Sequence, residues 1–229
     1  GSWTNSAGAV GFSGTGVVTV NGTGIQTGTA GGDSFPTVTL SKTAGSVVFA
    51  DALSVGTAMT VGANKAFSLS FNNAAGGQTS TVAGATTLDN TGTISFGNDP
   101  LDAILFTGGL SVTASSGLTL AGNLASTNTN ISLPATGILS LSGAAAVDTG
   151  AGAGNISLAG AVSGAFNLTL SSGTGADVFG ADVSVGAGAP GTALAVTAAS
   201  ISLAAGVDIA ANTAGTDIID TNGTTNTSN

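Results

Sequence analysis

The chain has 229 residues, of which 38 are glycine, and only 6 % are charged, against a usual share of about 25 %. Every acidic residue is Asp, Lys42 and Lys65 are the only basic residues, and the formal net charge is −9. Clustered Lys and Arg, which neutralise phosphate groups, are missing, so nucleic acids and anionic membranes are excluded as partners. No apolar run approaches the ~18 residues of a membrane helix, and membrane insertion is not expected.

Most of the residue types that carry catalytic and metal chemistry are also missing. The sequence contains no Cys, His, Glu, Arg or Tyr. A Ser-His triad, a zinc site or a Glu-based glycosidase pair therefore cannot be assembled. We expect neither an enzyme nor an organic cofactor; an Asp-only acidic surface can attract divalent cations, and calcium is the one for which the sequence offers candidate ligands.

Short runs in which two apolar residues flank a hydroxyl residue recur along the chain. Such alternation predicts strands with one buried face and one wet face. No helical apolar stripe survives more than about one turn, so helices are not expected. In chain order the predicted strands are 18–20, 38–40, 53–55, 59–61, 67–71, 94–96, 110–112, 118–120, 131–133, 139–141, 156–158, 168–170, 183–185 and 201–203.

The spacing of these runs predicts how the strands are arranged. Their central hydroxyl residues recur every 20 to 27 residues, in the series Thr19, Thr39, Thr60 and in the series Ser111, Ser132, Ser157, Ser184. A repeat whose length varies between 20 and 27 residues, with two or three short strands in each repeat, predicts an all-β solenoid, here of roughly ten coils. The alternative is an antiparallel β-sandwich or jelly roll, because strands about 8–12 residues apart suit that fold as well.

The same pattern predicts the domain organisation. A single solenoid domain is expected over residues 1–216, followed by a polar, low-complexity tail or linker over 217–229. Three stretches interrupt the period, 72–84, 98–102 and 173–182, and we expect them to be loops that project from the rod.

Four aspartates are candidate calcium ligands. Asp99 and Asp102 flank a turn, and Asp177 and Asp182 lie in the Gly-rich stretch 173–182. The sequence Gly-Thr-Gly-Ala-Asp at 173–177 is a fragment of the nonapeptide that builds calcium-binding rolls, although it occurs once. Each of the four also has an ordinary explanation as a residue that caps a turn.

Two further functions are alternatives on the residues alone. An Asp-based hydrolase would need a close pair, and the sequence offers Asp99 with Asp102, Asp177 with Asp182, and Asp217 with Asp220. An ice-binding solenoid would need arrays of Thr-x-Thr at coil spacing. Such triplets occur at 37–39 and 91–93, but the usual strand carries a single hydroxyl residue.

Residues from about 110 to 209 resemble the passenger regions of filamentous-haemagglutinin-like and autotransporter-type bacterial surface adhesins. The resemblance is carried by GLSVTA at 109–114, SGLTLAG at 116–122, GNISL at 154–158, NLTL at 167–170 and ASISL at 199–203. It is a likeness of repeat style and composition. It implies a right-handed parallel β-helix, secretion to the cell surface and an adhesive or matrix role, and it transfers no site residues.

Composition and resemblance together predict a secreted structural protein of a bacterial surface, forming a stalk, fibre or matrix element with an adhesive role. The expected partners are neighbouring copies of the chain and surface glycans. The alternative is a self-assembling filament or surface-layer subunit with a β-sandwich fold, in which residues 3–12 donate a strand to a neighbour.

Overall fold

The structure, a computed structural model, describes residues 3–4, 15–32, 34–134, 136–186, 192–212 and 218–221. These residues form 24 β-strands and no helix. In this part of the chain, accordingly, no helix is long and apolar enough to cross a membrane. In chain order the strands are β1 (Trp3–Thr4), β2 (Val17–Gly22), β3 (Ile25–Thr29), β4 (Ser34–Lys42), β5 (Ser46–Phe49), β6 (Ser54–Val61), β7 (Ser68–Phe71), β8 (Thr79–Val82), β9 (Thr86–Leu88), β10 (Thr93–Phe96), β11 (Ala103–Phe106), β12 (Leu110–Val112), β13 (Gly117–Ser126), β14 (Ile131–Leu133), β15 (Leu139–Asp148), β16 (Ile156–Leu158), β17 (Val162–Gly164), β18 (Leu168–Ser171), β19 (Ala176–Phe179), β20 (Val183–Gly186), β21 (Leu194–Ala198), β22 (Ser200–Leu203), β23 (Ile209–Asn212) and β24 (Ile218–Thr221).

The strands stack into three faces around one interior. The first face holds β1, β3, β5, β7, β10, the starts of β13 and β15, β17, β20 and β23. The second face holds the starts of β4 and β6, then β8, β11, the ends of β13 and β15, β18, β21 and β24. The third face holds β2, the ends of β4 and β6, then β9, β12, β14, β16, β19 and β22.

The predicted all-β solenoid is confirmed, with about eight complete coils. Each strand pair of the described residues is parallel, which excludes the antiparallel sandwich there. The expected number of roughly ten coils is too high. Stacked coils take from 20 residues (Thr19 to Thr39) to 27 residues (Ser54 to Thr81), and the two ends of the described part contribute only partial coils.

Twelve of the fourteen predicted short runs lie wholly in strands, and the other two, 53–55 and 67–71, begin one residue before β6 and β7. Most of the predicted intervals are pairings between coils. Thr39 pairs with Thr19 and Thr60, and Ser132 pairs with Ser111 and Ser157. The last interval is wrong, because Ser157 pairs with Val178 and Ser184 pairs with Ser163. In this coil the outward residue is Val178 and not a hydroxyl residue, so the spacing of hydroxyl residues skipped the coil and gave an interval that was too long.

Two of the three predicted loops contain strands. The stretch 72–84 includes β8, and 173–182 includes β19. The alternation did not reveal these strands because Ser80 and Asp177 occupy inward positions, where an apolar residue is expected. The stretch 98–102 is a turn, as expected. Ile218–Thr221, assigned to the polar tail on sequence, pairs with β21, while 213–217 and 222–229 lie outside the described residues.

The interior is filled by ladders of apolar side chains that stack from coil to coil. Phe49, Phe71 and Phe96 stack with centroid separations of 5.8 Å at each step, and Phe106 meets Phe71 and Phe96 edge-on. All four rings are buried. Stacked and edge-on ring pairs gain about 0.5–1.5 kcal/mol beyond burial of their area, so these contacts add to the stability of the coils that contain them.

Candidate functional site

The outer surface of the first face carries a continuous ladder of hydroxyl groups. In six consecutive coils the outward residue is Ser70, Ser95, Thr119, Ser140, Ser163 and Ser184, each paired with the next. Paired strands lie about 4.8 Å apart, so the hydroxyls repeat at that interval along the rod. Each hydroxyl both donates and accepts hydrogen bonds. In β7, β10 and β15 a second outward hydroxyl residue lies two positions away (Ser68, Thr93 and Ser142), but the ladder is mostly Ser, so it is not the paired Thr array that an ice-binding face needs.

A groove of about 590 Å³ runs along the outside of the third face. Thr87, Ser111 and Ser132 form a second hydroxyl ladder in it, and 128–130 line it as well. None of the residues that line the groove is ionisable. Its chemistry therefore suits a neutral partner that is rich in hydrogen-bonding groups.

Asp99 and Asp102 come together in one turn, where their carboxylates bind backbone. Asp102 is 1 % exposed, and its oxygens accept hydrogen bonds from the N–H groups of Gln78 (2.7 Å), Asn98 (2.8 Å) and Asp99 (3.0 Å). Asp99 accepts one from the Leu101 N–H at 2.9 Å. Since N–H groups repel cations, this geometry favours a capping role for the Asp102 carboxylate, which ties two coils together.

Asp177 and Asp182 lie on opposite sides of the solenoid backbone, one in the interior and the other in solvent. The side chain of Asp177 is completely buried in the interior, whereas Asp182 is exposed and accepts a hydrogen bond from the Asp208 N–H at 3.0 Å. The structure therefore does not bring this pair together. Asp217, which was paired on sequence with Asp220, lies outside the described residues.

No group of three or more acidic side chains that could hold a metal ion occurs in the part of the chain that the structure describes. Calcium takes six to eight oxygen ligands. Asp99 and Asp102 would have to be supplemented by backbone carbonyls to reach that number. The four calcium candidates thus remain a prediction from sequence. In the structure Asp102 binds backbone N–H groups of two coils, and Asp177 is buried in the interior.

Buried polar residues at the corners of the coils were not anticipated from the sequence. Lys42 points inward at the end of β4, and its Nζ donates to the Gly24 carbonyl (2.6 Å) and to Gln26 Oε1 (2.8 Å). Burial lowers the pKa of the Lys42 ammonium group. The alternation in β4 (Val38, Leu40, Lys42 inward) was the available signal, but a lysine at an inward position is discounted on composition alone.

A second corner network centres on Asn72, which is fully buried with φ of 51°. Its Nδ2 donates to the carbonyls of Gln78 (3.0 Å) and Ala103 (3.1 Å), and its Oδ1 accepts from Ser80. Ser80 in turn accepts a hydrogen bond from the Leu53 N–H at 2.8 Å. One amide side chain thus satisfies groups from two neighbouring coils.

Comparisons of the chain with protein-family models, with curated proteins and with solved structures found no match.

Proposed function

We propose that this chain is an extracellular structural element of a bacterial surface, a rod that serves as a stalk, fibre or matrix component. The observation that carries the proposal is the unbroken stacking of parallel coils on three faces. Inward side chains form apolar ladders, and backbone hydrogen bonds join each coil to the next. A stack of this kind gains length and stiffness by adding coils, and a spacer or fibre requires both properties.

The basic residues support a role in a protease-rich environment. Trypsin-like proteases need Lys or Arg, and the chain has two Lys and no Arg. Lys42 is fully buried, and Lys65 is partly exposed. The folded rod therefore offers such proteases one reachable site, at the corner between β6 and β7.

Force spectroscopy of the whole chain, held by its two ends, tests the mechanical proposal. A rod of stacked coils should open in steps of one or a few coils, each coil of 20 to 27 residues releasing roughly 65–90 Å of chain. Antibody labelling of intact source cells tests the location. Opening of the chain without measurable resistance, or labelling only after the cells are permeabilised, would overturn the proposal.

A further inference from the structure

One position in the interior of the third face differs from the coils stacked on it. Asp177, in β19, pairs with Ile156 of the preceding coil and with Ile201 of the following coil. The same column continues upstream with Ile131 and Leu110. Asp177 is 0 % exposed, so a carboxyl group stands in a column whose positions 110, 131, 156 and 201 hold aliphatic side chains.

The carboxyl group of Asp177 has no hydrogen-bond partner among the described residues. Neither oxygen accepts a hydrogen bond, and the buried hydroxyl of Ser172, which lies beside it, makes none either. An ionised carboxylate in such a place has lost its hydration without compensation. The protonated form loses far less, because it carries no net charge.

No positive charge faces Asp177 to stabilise its ionised form. β16 and β22, the strands stacked on β19, contain no titratable side chain. Of the acidic residues on neighbouring elements, Asp148 is partly exposed and accepts a hydrogen bond from the Gly150 N–H, and Asp182 and Asp208 are exposed. Both lysines belong to the N-terminal coils.

We propose that Asp177 is a built-in acid-sensitive device: when its carboxyl group is protonated the coils around β19 close tightly, and when it ionises they loosen. The proposal goes beyond the structural role and does not depend on it. Since a solenoid coil contacts only its neighbours, the effect is confined to the coils that contain β16, β19 and β22.

The direction of the pH dependence follows from linkage. Burial raises the pKa of Asp177 from its ordinary value of 3.8 to about 6; the neighbouring Ser172 hydroxyl, which forms no hydrogen bond in this geometry but lies within reach of the carboxylate, acts in the opposite direction and more weakly. Between these two values the unfolded coil loses its proton while the folded coil keeps it. Local stability is therefore highest below about pH 4 and falls until about pH 6, where the loss levels off, reaching roughly a hundredfold in the local folding equilibrium.

Hydrogen exchange of the whole chain at pH 4.5 and pH 7.5, corrected for the intrinsic exchange rates, tests the proposal. Amides of β16, β19 and β22 should lose protection at the higher pH, by roughly twenty- to thirtyfold, because the unfolded coil has already lost most of its proton at pH 4.5, while amides of β7 and β10 should change much less. Asp177→Asn, which keeps the shape but cannot ionise, should abolish the difference between the two groups of strands.

Two further variants make the result decisive. Asp177→Ile restores the ladder between Ile156 and Ile201 and should give coils that are protected equally at both pH values. Asp182→Asn removes a nearby exposed carboxylate and should leave the wild-type response intact. The proposal is overturned if Asp177→Asn or Asp177→Ile retains the wild-type pH response, or if Asp182→Asn abolishes it.

Discussion

At the scale of single residues, the fold depends on polar side chains that are buried at the corners of the coils. Asn72 is the clearest case, because its side chain binds two carbonyls and a hydroxyl while its backbone adopts a left-handed conformation. Asn tolerates that conformation better than most residues. Asn72 therefore satisfies a steric and a hydrogen-bonding requirement at once.

We predict that Asn72→Asp destabilises the protein by about 2–4 kcal/mol at pH 7, because the carboxylate cannot donate to the carbonyls of Gln78 and Ala103. Shape and backbone preference are nearly unchanged, so the loss reports the two donated hydrogen bonds and the buried charge. Urea unfolding measures the change. The exposed neighbour provides the control, and Asn73→Asp should be close to neutral. Equal losses in the two variants would contradict the prediction.

At the scale of strands, the path of the chain depends on how sharply a strand turns from one face to the next. β13 passes from the first to the second face between Leu120 and Gly122. Gly122 has φ of 79°, and a Cβ atom there would lie 2.2 Å from the Asp102 carbonyl oxygen of the preceding coil. The corner therefore requires glycine both for its conformation and for the close approach of two coils.

Gly122→Ala should therefore cost about 2–4 kcal/mol of stability, since it combines a left-handed alanine with a contact that forces the two coils apart. The matched control lies in the same strand. Gly117 has open space around its Cβ position and no left-handed φ, and Gly117→Ala is expected to be neutral or slightly stabilising. Thermal unfolding of the two variants distinguishes them. A Gly122→Ala protein as stable as Gly117→Ala would show that the corner relaxes freely.

The same strands show what the sequence could and could not predict. Ile156-Ser157-Leu158 was recognisable because its apolar residues and its hydroxyl residue alternate, as they do in the folded strand. Asp177-Val178-Phe179 presents a charged residue inward and an apolar residue outward, so its alternation is inverted. The second half of β15 is largely alanine and gives no contrast at all. Where coil stacking determines the side chain's position, local alternation is a weak signal.

For the candidate site residues, the sequence predicted the turn that contains Asp99 and Asp102, but it did not predict where the aspartate side chains face. The turn at 98–102 follows from its Asn, Asp and Pro residues, and the structure confirms it. The sequence did not indicate that Asp102 faces the backbone of the neighbouring coil or that Asp177 faces the interior. Both facts depend on which residues of adjacent coils lie in register, and that information comes from the stack.

At the scale of the whole molecule, the described chain is close to a one-dimensional stack. β17, β18 and β19 form one coil, and each of them pairs with the coil before and the coil after. Removing this coil would bring its two neighbours together. The inward residues that would then meet are similar, because Leu139 would face Val183, Val147 would face Val196, and Ile156 would face Ile201.

We therefore predict that deletion of residues 162–182, which joins Ala161 to Val183, gives a protein that folds and unfolds cooperatively. The rod should be shorter by about one strand spacing, near 4.8 Å, which small-angle scattering can compare with the full chain. The deletion also removes Asp177, so the shortened protein should be at least as stable per coil at neutral pH as the full chain.

A partial deletion is the matched control, because it removes a similar kind of sequence without preserving the register. Deleting 172–182 leaves β17 and β18 in place but removes β19, so β20 would be forced from the first face onto the third. Its inward residues would lose their partners, and every later strand would be displaced by one face. We expect loss of cooperative unfolding in this variant, seen by calorimetry. If the whole-coil deletion behaves in the same way, the coils are coupled over a longer range than a stack of neighbours allows.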